Sequence, residues 1–193
     1  NIRSGKMIKY GPDGKRSKDV SSTWFHSKKS AGTNIFPGFN LKQCLFGEHL
    51  INTYSKPIAI VESEKTAIIA SLFIDKYLWL ASGGLNQLSQ SKVDVLKNRS
   101  VTLFPDLGCF GEVGDYYRDN ETGLFYWRNN TEWVKTSDKP DIFKTGNAPP
   151  MSSFQKWSIK AKEFGFSISN HIEKIASDED RFSGCDIADF LLR

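Results

Sequence analysis

The chain has 193 residues, 39% hydrophobic and 13% aromatic, which is enough to bury one good-sized core with a small appendage and too apolar for a disordered segment. Its formal net charge of +4 is mildly basic, and no apolar run is long enough to cross a membrane or to act as a signal at the amino end. Cys44, Cys109 and Cys185 are far apart, odd in number and without a C-x-x-C pair. That pattern argues against a zinc ribbon or a redox pair within this chain and suits a reducing, cytoplasmic setting. The first residue is Asn1 and not Met, as expected of a piece of something longer.

The amino end is basic: Arg3, Lys6, Lys9, Lys15, Arg16, Lys18, Lys28 and Lys29 face only Asp13 and Asp19. Such a lobe attracts phosphate backbones, although a solvated hairpin face is the plainer reading of charge alone. Within it, "MIKYGPDGKRSK" predicts a hairpin turning at Gly11–Gly14, and "STWFHS" predicts another short strand. Residues 1–40 therefore read as a basic β-hairpin subdomain. "FNLKQCLFGEHLI" then brings Leu41, Cys44, Leu45 and His49 to helical spacing.

From residue 41 onward the periods alternate. "PIAIV" is a short, fully apolar run of the kind found in central parallel strands. "SEKTAIIASLFID" is a helix with Ser63 as its cap, "YLWLAS" a second strand ending at Gly83-Gly84, and "LNQLSQSKVDVLK" a second helix. "SVTLFPD" is a third strand stopped at Pro105-Asp106, "SSFQKWSIKAKEFG" a third helix and "FSISNHI" a fourth strand. Strands alternating with helices predict an α/β fold, a mostly parallel sheet flanked by helices. Between residues 111 and 150, "DYYRDNETGLFYWRNNTEWVKTSD" predicts a small inserted antiparallel meander, with Pro149-Pro150 marking the return to the main fold. Tyr116, Tyr117, Phe125, Tyr126, Trp127 and Trp133 are able to stack on bases, but making the meander's own core is the commoner use of such rings.

In an open parallel sheet, ligands bind beyond the carboxyl ends of the strands. Glu62, Gly83-Gly84 and Asp106 all fall there, on three successive strands. Two carboxylates suit Mg²⁺ or Mn²⁺, hard cations that take oxygen ligands, and glycines allow a phosphate to approach the backbone. "EKT" is no P-loop, because "IVESE" ahead of it has no glycine to wrap phosphates. Glu64 falls in the first helical turn, where an acid gains about 0.3–1 kcal/mol from the helix dipole. For Glu62, spacing alone leaves the ligand and the dipole readings open. His26, His49 and His171 are scattered and read as structural or surface residues.

Taken in order, "IVESEKTA", "LASGGLNQLSQSKVDVLK", "VTLFPDLG" and "GCDIADFLL" resemble a Toprim domain, the module of bacterial-type primases, topoisomerases and some nucleases. More narrowly, with its amino-terminal hairpins, "TWFHS" and "NLKQCLFGEHL", the chain resembles primase-like Toprim proteins of Bacteroides mobile elements and phages. The resemblance implies that residues 41–193 form a Toprim-like domain, that Glu62 is the Toprim glutamate, and that Asp106 opens an Asp-x-Asp pair. Both would be catalytic and metal-binding. Gly108 replaces the second aspartate of that pair, which weakens the case for two-metal chemistry; Glu112, Asp115, Asp186 and Asp189 are the acids available as substitutes.

The implied activity is nucleotidyl transfer in primer synthesis during replication of a mobile element or phage. The implied partners are a single-stranded DNA template, nucleoside triphosphates and a replicative helicase, with no membrane. Lys65, Gly83 and Gly84 are the candidate phosphate contacts, and Lys6, Lys9, Lys15 and Arg16 the candidate backbone contacts. For Lys65, pairing with Glu62 or Glu64 is the plainer role. A Toprim-type nuclease, and a catalytically silent module binding nucleic acid or a helicase, are the rival expectations.

Overall fold

The computed structural model of the chain describes residues 5–12, 14, 16–17, 19–27, 29–30, 33–34, 42–108, 115–129, 132–137, 139–147 and 151–193. The chain divides into two compact units, residues 1–43 and 44–193. No helix among the described residues is long and apolar enough to cross a membrane.

In the first unit, β1 (Lys6–Met7) pairs antiparallel with β2 (Thr23–Trp24), and β3 (Lys29–Ser30) with β4 (Thr33–Asn34). The expected turn is present: the Gly14 amide donates to the Gly11 carbonyl at 3.0 Å, and Tyr10 bridges to Arg16 beneath it. "STWFHS" is strand only over Thr23–Trp24. Phe25–Ser27 closes into one 3-10 turn, in which the Ser27 hydroxyl donates to the Trp24 carbonyl at 2.7 Å.

The second unit runs β5 (Ile58–Val61), α1 (Glu64–Phe73), β6 (Leu78–Ala81), α2 (Gln90–Val93) and β7 (Val101–Leu103). An inserted sheet follows, made of β8 (Tyr116–Asp119), β9 (Phe125–Arg128), β10 (Trp133–Thr136) and β11 (Lys144–Gly146). The unit closes with α3 (Ser153–Phe164), β12 (Ser167–Ile168), α4 (His171–Ile175), α5 (Asp178–Ser183) and α6 (Ile187–Leu191).

The main sheet is parallel throughout, in the order β12-β7-β5-β6. Strand alternation divides its side chains between two cores. Ile58, Ile60, Leu78, Leu80, Val101 and Leu103 meet Leu88, Val93 and Leu96 and the fully buried Trp157 of α3. Ala59, Val61, Trp79 and Ala81 meet Ala67 and Ala70 of α1, Ile172 of α4 and Ile187 of α6. Helices therefore cover both faces, as a sheet with apolar residues on each side requires.

Three expected elements differ. Over residues 42–51 there is no α-helix. Phe46 forms an antiparallel bridge with Ala81 at the edge of β6, and Glu48–Leu50 is a 3-10 turn entered through Gly47 at φ +81°. The helical spacing there reflects Leu45 and Ile51 reaching one core, not a continuous helix. The second predicted helix is broken into 3-10 turns at Leu85–Gln87 and Asp94–Leu96 around the short α2, although Leu88, Val93 and Leu96 are buried as expected. "FSISNHI" is strand only over Ser167–Ile168, because His171 begins α4.

In the insert, β8, β9 and β10 are the expected antiparallel meander, and β11 adds a strand parallel to β8. The Pro149-Pro150 boundary lies outside the described residues.

Gly47 offers a direct test of this packing. A Cβ there would lie 2.9 Å from Leu80 Cδ2 and 3.3 Å from the Trp79 carbonyl oxygen, on a backbone of positive φ. Gly47→Ala is expected to destabilise the protein by about 1–3 kcal/mol in a denaturant melt.

Candidate functional site

The chain leaves β5 in one direction to form β6 and returns on the other side of β5 to form β7, so the switch point lies between β5 and β7. At such a point the two outgoing loops part and open a crevice at the carboxyl ends of the strands. Glu62 directly follows β5 and Asp106 lies just beyond β7. The Phe104 amide still donates to the Ile60 carbonyl at 2.8 Å. Pro105 has no amide to continue the ladder. The Asp106 amide instead donates to Glu62 Oε1 at 3.3 Å, joining the two acidic residues directly.

Glu62 is outside the helix. Ser63 is the cap of α1, its hydroxyl accepting from the Thr66 amide at 3.2 Å, and Glu64 occupies the first turn. Glu62 is 8% exposed, far more buried than an acid serving only a helix dipole needs to be. Burial raises its pKa. The Asp106 amide and a hydrogen bond from the Ser153 hydroxyl act the other way, the Asp186 carboxylate raises it further, and Lys156 lowers it.

Asp106 is pushed well above the ordinary carboxylate range, first by burial and then by the charges of Glu62, Asp186 and Asp189; Lys65 opposes this. Its Oδ1 is buried without a hydrogen-bond partner. The Lys65 charge thus favours the ionised form of Asp106.

Asp186 and Asp189 approach this pair but have work of their own. They form the capping box of α6, with the Asp189 amide donating to Asp186 Oδ1 at 3.1 Å and the Asp186 amide to Asp189 Oδ2 at 2.9 Å. The Thr66 hydroxyl of α1 donates to Asp186 Oδ2. Among the described residues, no three His, Cys, Asp or Glu side chains converge as a ready metal-ligand group. Asp186 and Asp189, two of the acids available as substitute ligands, cap α6 and add negative potential at Asp106.

Of the other substitute acids, Asp115 pairs with Lys144 in the inserted sheet, and Glu112 lies outside the described residues. Lys9 and Arg16 are exposed and Lys6 half-buried, all in the first unit; Lys15 lies outside the described residues.

The glycine pair borders the same edge. The Gly83 amide donates to the Glu62 carbonyl at 3.0 Å, and Gly83 and Gly84 have φ of +90° and +141°. The turn is held by a residue that sequence reasoning missed. Lys92 is 6% exposed, and its Nζ donates to the Ser82 carbonyl at 2.8 Å. The available signal was a lysine beside Val93 on the apolar side of a short helix. A charged tail there had to find a buried acceptor.

Gly108 explains its own identity. Its φ is +113°, and a Cβ would lie 3.4 Å from Gly184 Cα. The Leu107 amide donates to the Cys185 carbonyl at 2.8 Å and the Ser153 amide to the Gly108 carbonyl at 3.1 Å, so this loop is clamped between α3 and the carboxyl-terminal segment. Restoring an acid with Gly108→Asp is expected to cost about 1–3 kcal/mol, seen as a lower Tm.

The acidic pair also sets a pH dependence. Asp106 binds its proton more tightly folded than unfolded, so its contribution to stability falls as pH rises from the unfolded carboxyl pKa through the raised folded one. Asp106→Asn is expected to melt above the native chain at pH 7 and to lose that advantage by about pH 3.

The profile of one family, described as a domain of unknown function (DUF6371), matches residues 1–107. Comparisons with curated proteins and with solved structures find no match. The matched stretch takes in Glu62, Lys65, Gly83, Gly84 and Asp106, and ends before Gly108, the inserted sheet and the last four helices. It covers more than half of the chain, and the chain accordingly belongs to the DUF6371 family.

Proposed function

We propose that residues 44–193 form a Toprim-like catalytic domain that carries out metal-dependent phosphodiester chemistry on nucleic acid, in the manner of primer synthesis by a mobile-element or phage primase. The observation that carries this reading is the Glu62–Asp106 pair at the switch point, Glu62 buried and Asp106 half-buried with a buried Oδ1 that lacks a hydrogen-bond donor. Evolution keeps an unsatisfied buried carboxylate oxygen only at a cost, and a cation is the natural group to meet it.

The donor set fits a hard divalent ion. Carboxylates of Glu62 and Asp106 would hold Mg²⁺ or Mn²⁺, with water and substrate phosphates completing the shell in place of further protein ligands. When bound, such an ion supplies neutralisation of phosphate charge and lowers the pKa of an attacking hydroxyl. The chain's own groups then have distinct tasks. Glu62, made more basic than an ordinary glutamate by burial, is suited to accept the proton of a 3′-hydroxyl. Ser153 and the Asp106 amide orient its carboxylate. Lys65 offers positive charge beside Asp106, and the Gly83-Gly84 turn lets a phosphate approach the backbone. Exposed Lys9 and Arg16 of the first unit suit contacts with a template backbone without base specificity. A replicative helicase and nucleoside triphosphates complete the proposed partners.

Gly108, and the lack of a third converging ligand among the described residues, favour a second reading, a silent module that binds nucleic acid or a helicase. Titration calorimetry with Mg²⁺ and Mn²⁺ separates the two. The catalytic reading expects native binding that Asp106→Asn removes, and a loss of about 10²–10⁴ in activity for Glu62→Gln with the fold intact. Biological function that survives Glu62→Gln would leave the silent module. Product analysis distinguishes primer extension from shortening of a labelled strand, the outcome expected of a nuclease.

A further inference from the structure

The inserted sheet has two faces, and their side chains differ. Strand alternation and register assign Tyr117, Asp119, Tyr126, Arg128, Trp133 and Lys135 to one face. This is the face the insert buries: Tyr117 is 4% exposed, Asp119 7% and Arg128 2%, and the Tyr117 ring lies 5.8 Å from that of Trp133. The opposite face carries a row of Tyr116, Trp127 and Val134 beside a row of Arg118, Phe125, Thr136 and Thr145. The first set of rings lines the buried face; on the second face Trp127 is exposed, while Tyr116, Arg118 and Phe125 are half-buried.

The chemistry of that second face selects an occupant. Trp127 is 38% exposed, and Tyr116 stands directly opposite it on the neighbouring strand. Phe125 lies on the same strand as Trp127, about 7 Å away by strand geometry. Its ring meets Phe143 edge-on at 5.2 Å. Arg118 stands opposite Phe125, and none of the strand positions on this face is acidic. Aromatic planes on adjacent strands with a guanidinium among them are complementary to unpaired bases on a phosphate backbone. They do not suit a duplex, whose base faces are hidden in the stack.

We propose that this face of the inserted sheet binds single-stranded nucleic acid, with Trp127 and Tyr116 as stacking platforms and Arg118 as the backbone or base-plane contact. The proposal concerns a surface separate from the Glu62–Asp106 crevice and needs neither metal nor catalysis.

The test is fluorescence anisotropy of the full chain with labelled oligo-dT and oligo-U of about 16 nucleotides. It is run at low salt in chelator, so that no metal contributes. Trp127→Leu keeps an apolar bulk but removes the π-face, and is expected to weaken binding at least about tenfold. Trp127→Phe is expected to stay within about threefold. Circular dichroism melts establish that each variant folds. The two oligonucleotides tell a DNA from an RNA preference, and a blunt duplex is expected not to compete.

Unchanged affinity in folded Trp127→Leu and Tyr116→Leu would overturn the proposal, as would binding lost on Lys9→Glu but untouched by both. Native protein that binds neither oligonucleotide would overturn it too. Each of these results is independent of whether Glu62→Gln abolishes activity.

Discussion

β5 is apolar on both faces, and its four residues are each 0% exposed. Such a strand has to be covered twice. The chain does so by sending α1 to one side of the sheet and α2 and α3 to the other. Because successive crossovers then run in opposite directions from β5, the loops after β5 and β7 separate next to each other. The crevice that holds Glu62 and Asp106 is a consequence of burying Ile58–Val61, and its position needs no separate cause.

Placing two carboxylates in that crevice is unfavourable for folding. Burial raises both pKa values, and Asp186 and Asp189 add like charge. The compensation is local and incomplete. Glu62 receives the Asp106 amide and the Ser153 hydroxyl, while Lys156 and Lys65 supply positive charge from two different helices. Asp106 Oδ1 is left over. Asp186 is thus satisfied twice while Asp106 is left short of a donor, and the proposed cation site rests on that contrast.

The carboxyl-terminal "GCDIADFLL" is tied to the same region by backbone contacts. Gly108 and Gly184 have φ of +113° and +69°, which strains any side chain there, and Leu107 and Cys185 are joined by a main-chain hydrogen bond. This contact brings Asp186 to Thr66 and seats α6 beside α1. The glycine at 108 therefore serves the backbone conformation of this loop, whatever its effect on metal ligation.

Much of the second unit was legible in sequence because its signals are local. Four apolar residues flanked by turns marked β5, Ser63 marked the start of α1, and Pro105 marked the end of β7. Glu62, Gly83-Gly84 and Asp106 could be assigned to strand ends for the same reason. What sequence could not decide were relations between distant segments. Leu45 and Ile51 have helical spacing, yet Phe46 pairs with Ala81, a contact invisible to any period. That Asp186 accepts from Thr66 and caps its own helix was not visible in its neighbours along the chain. The rings of the insert alternate along each strand, but only burial of Tyr117 and Arg128 determined which face is core. Local pattern sets which elements form, because propensity and turn chemistry act over a few residues. Which acid is satisfied, which lysine is buried and which aromatic face is left over depend on contacts across the fold, and these exist only once the chain has packed.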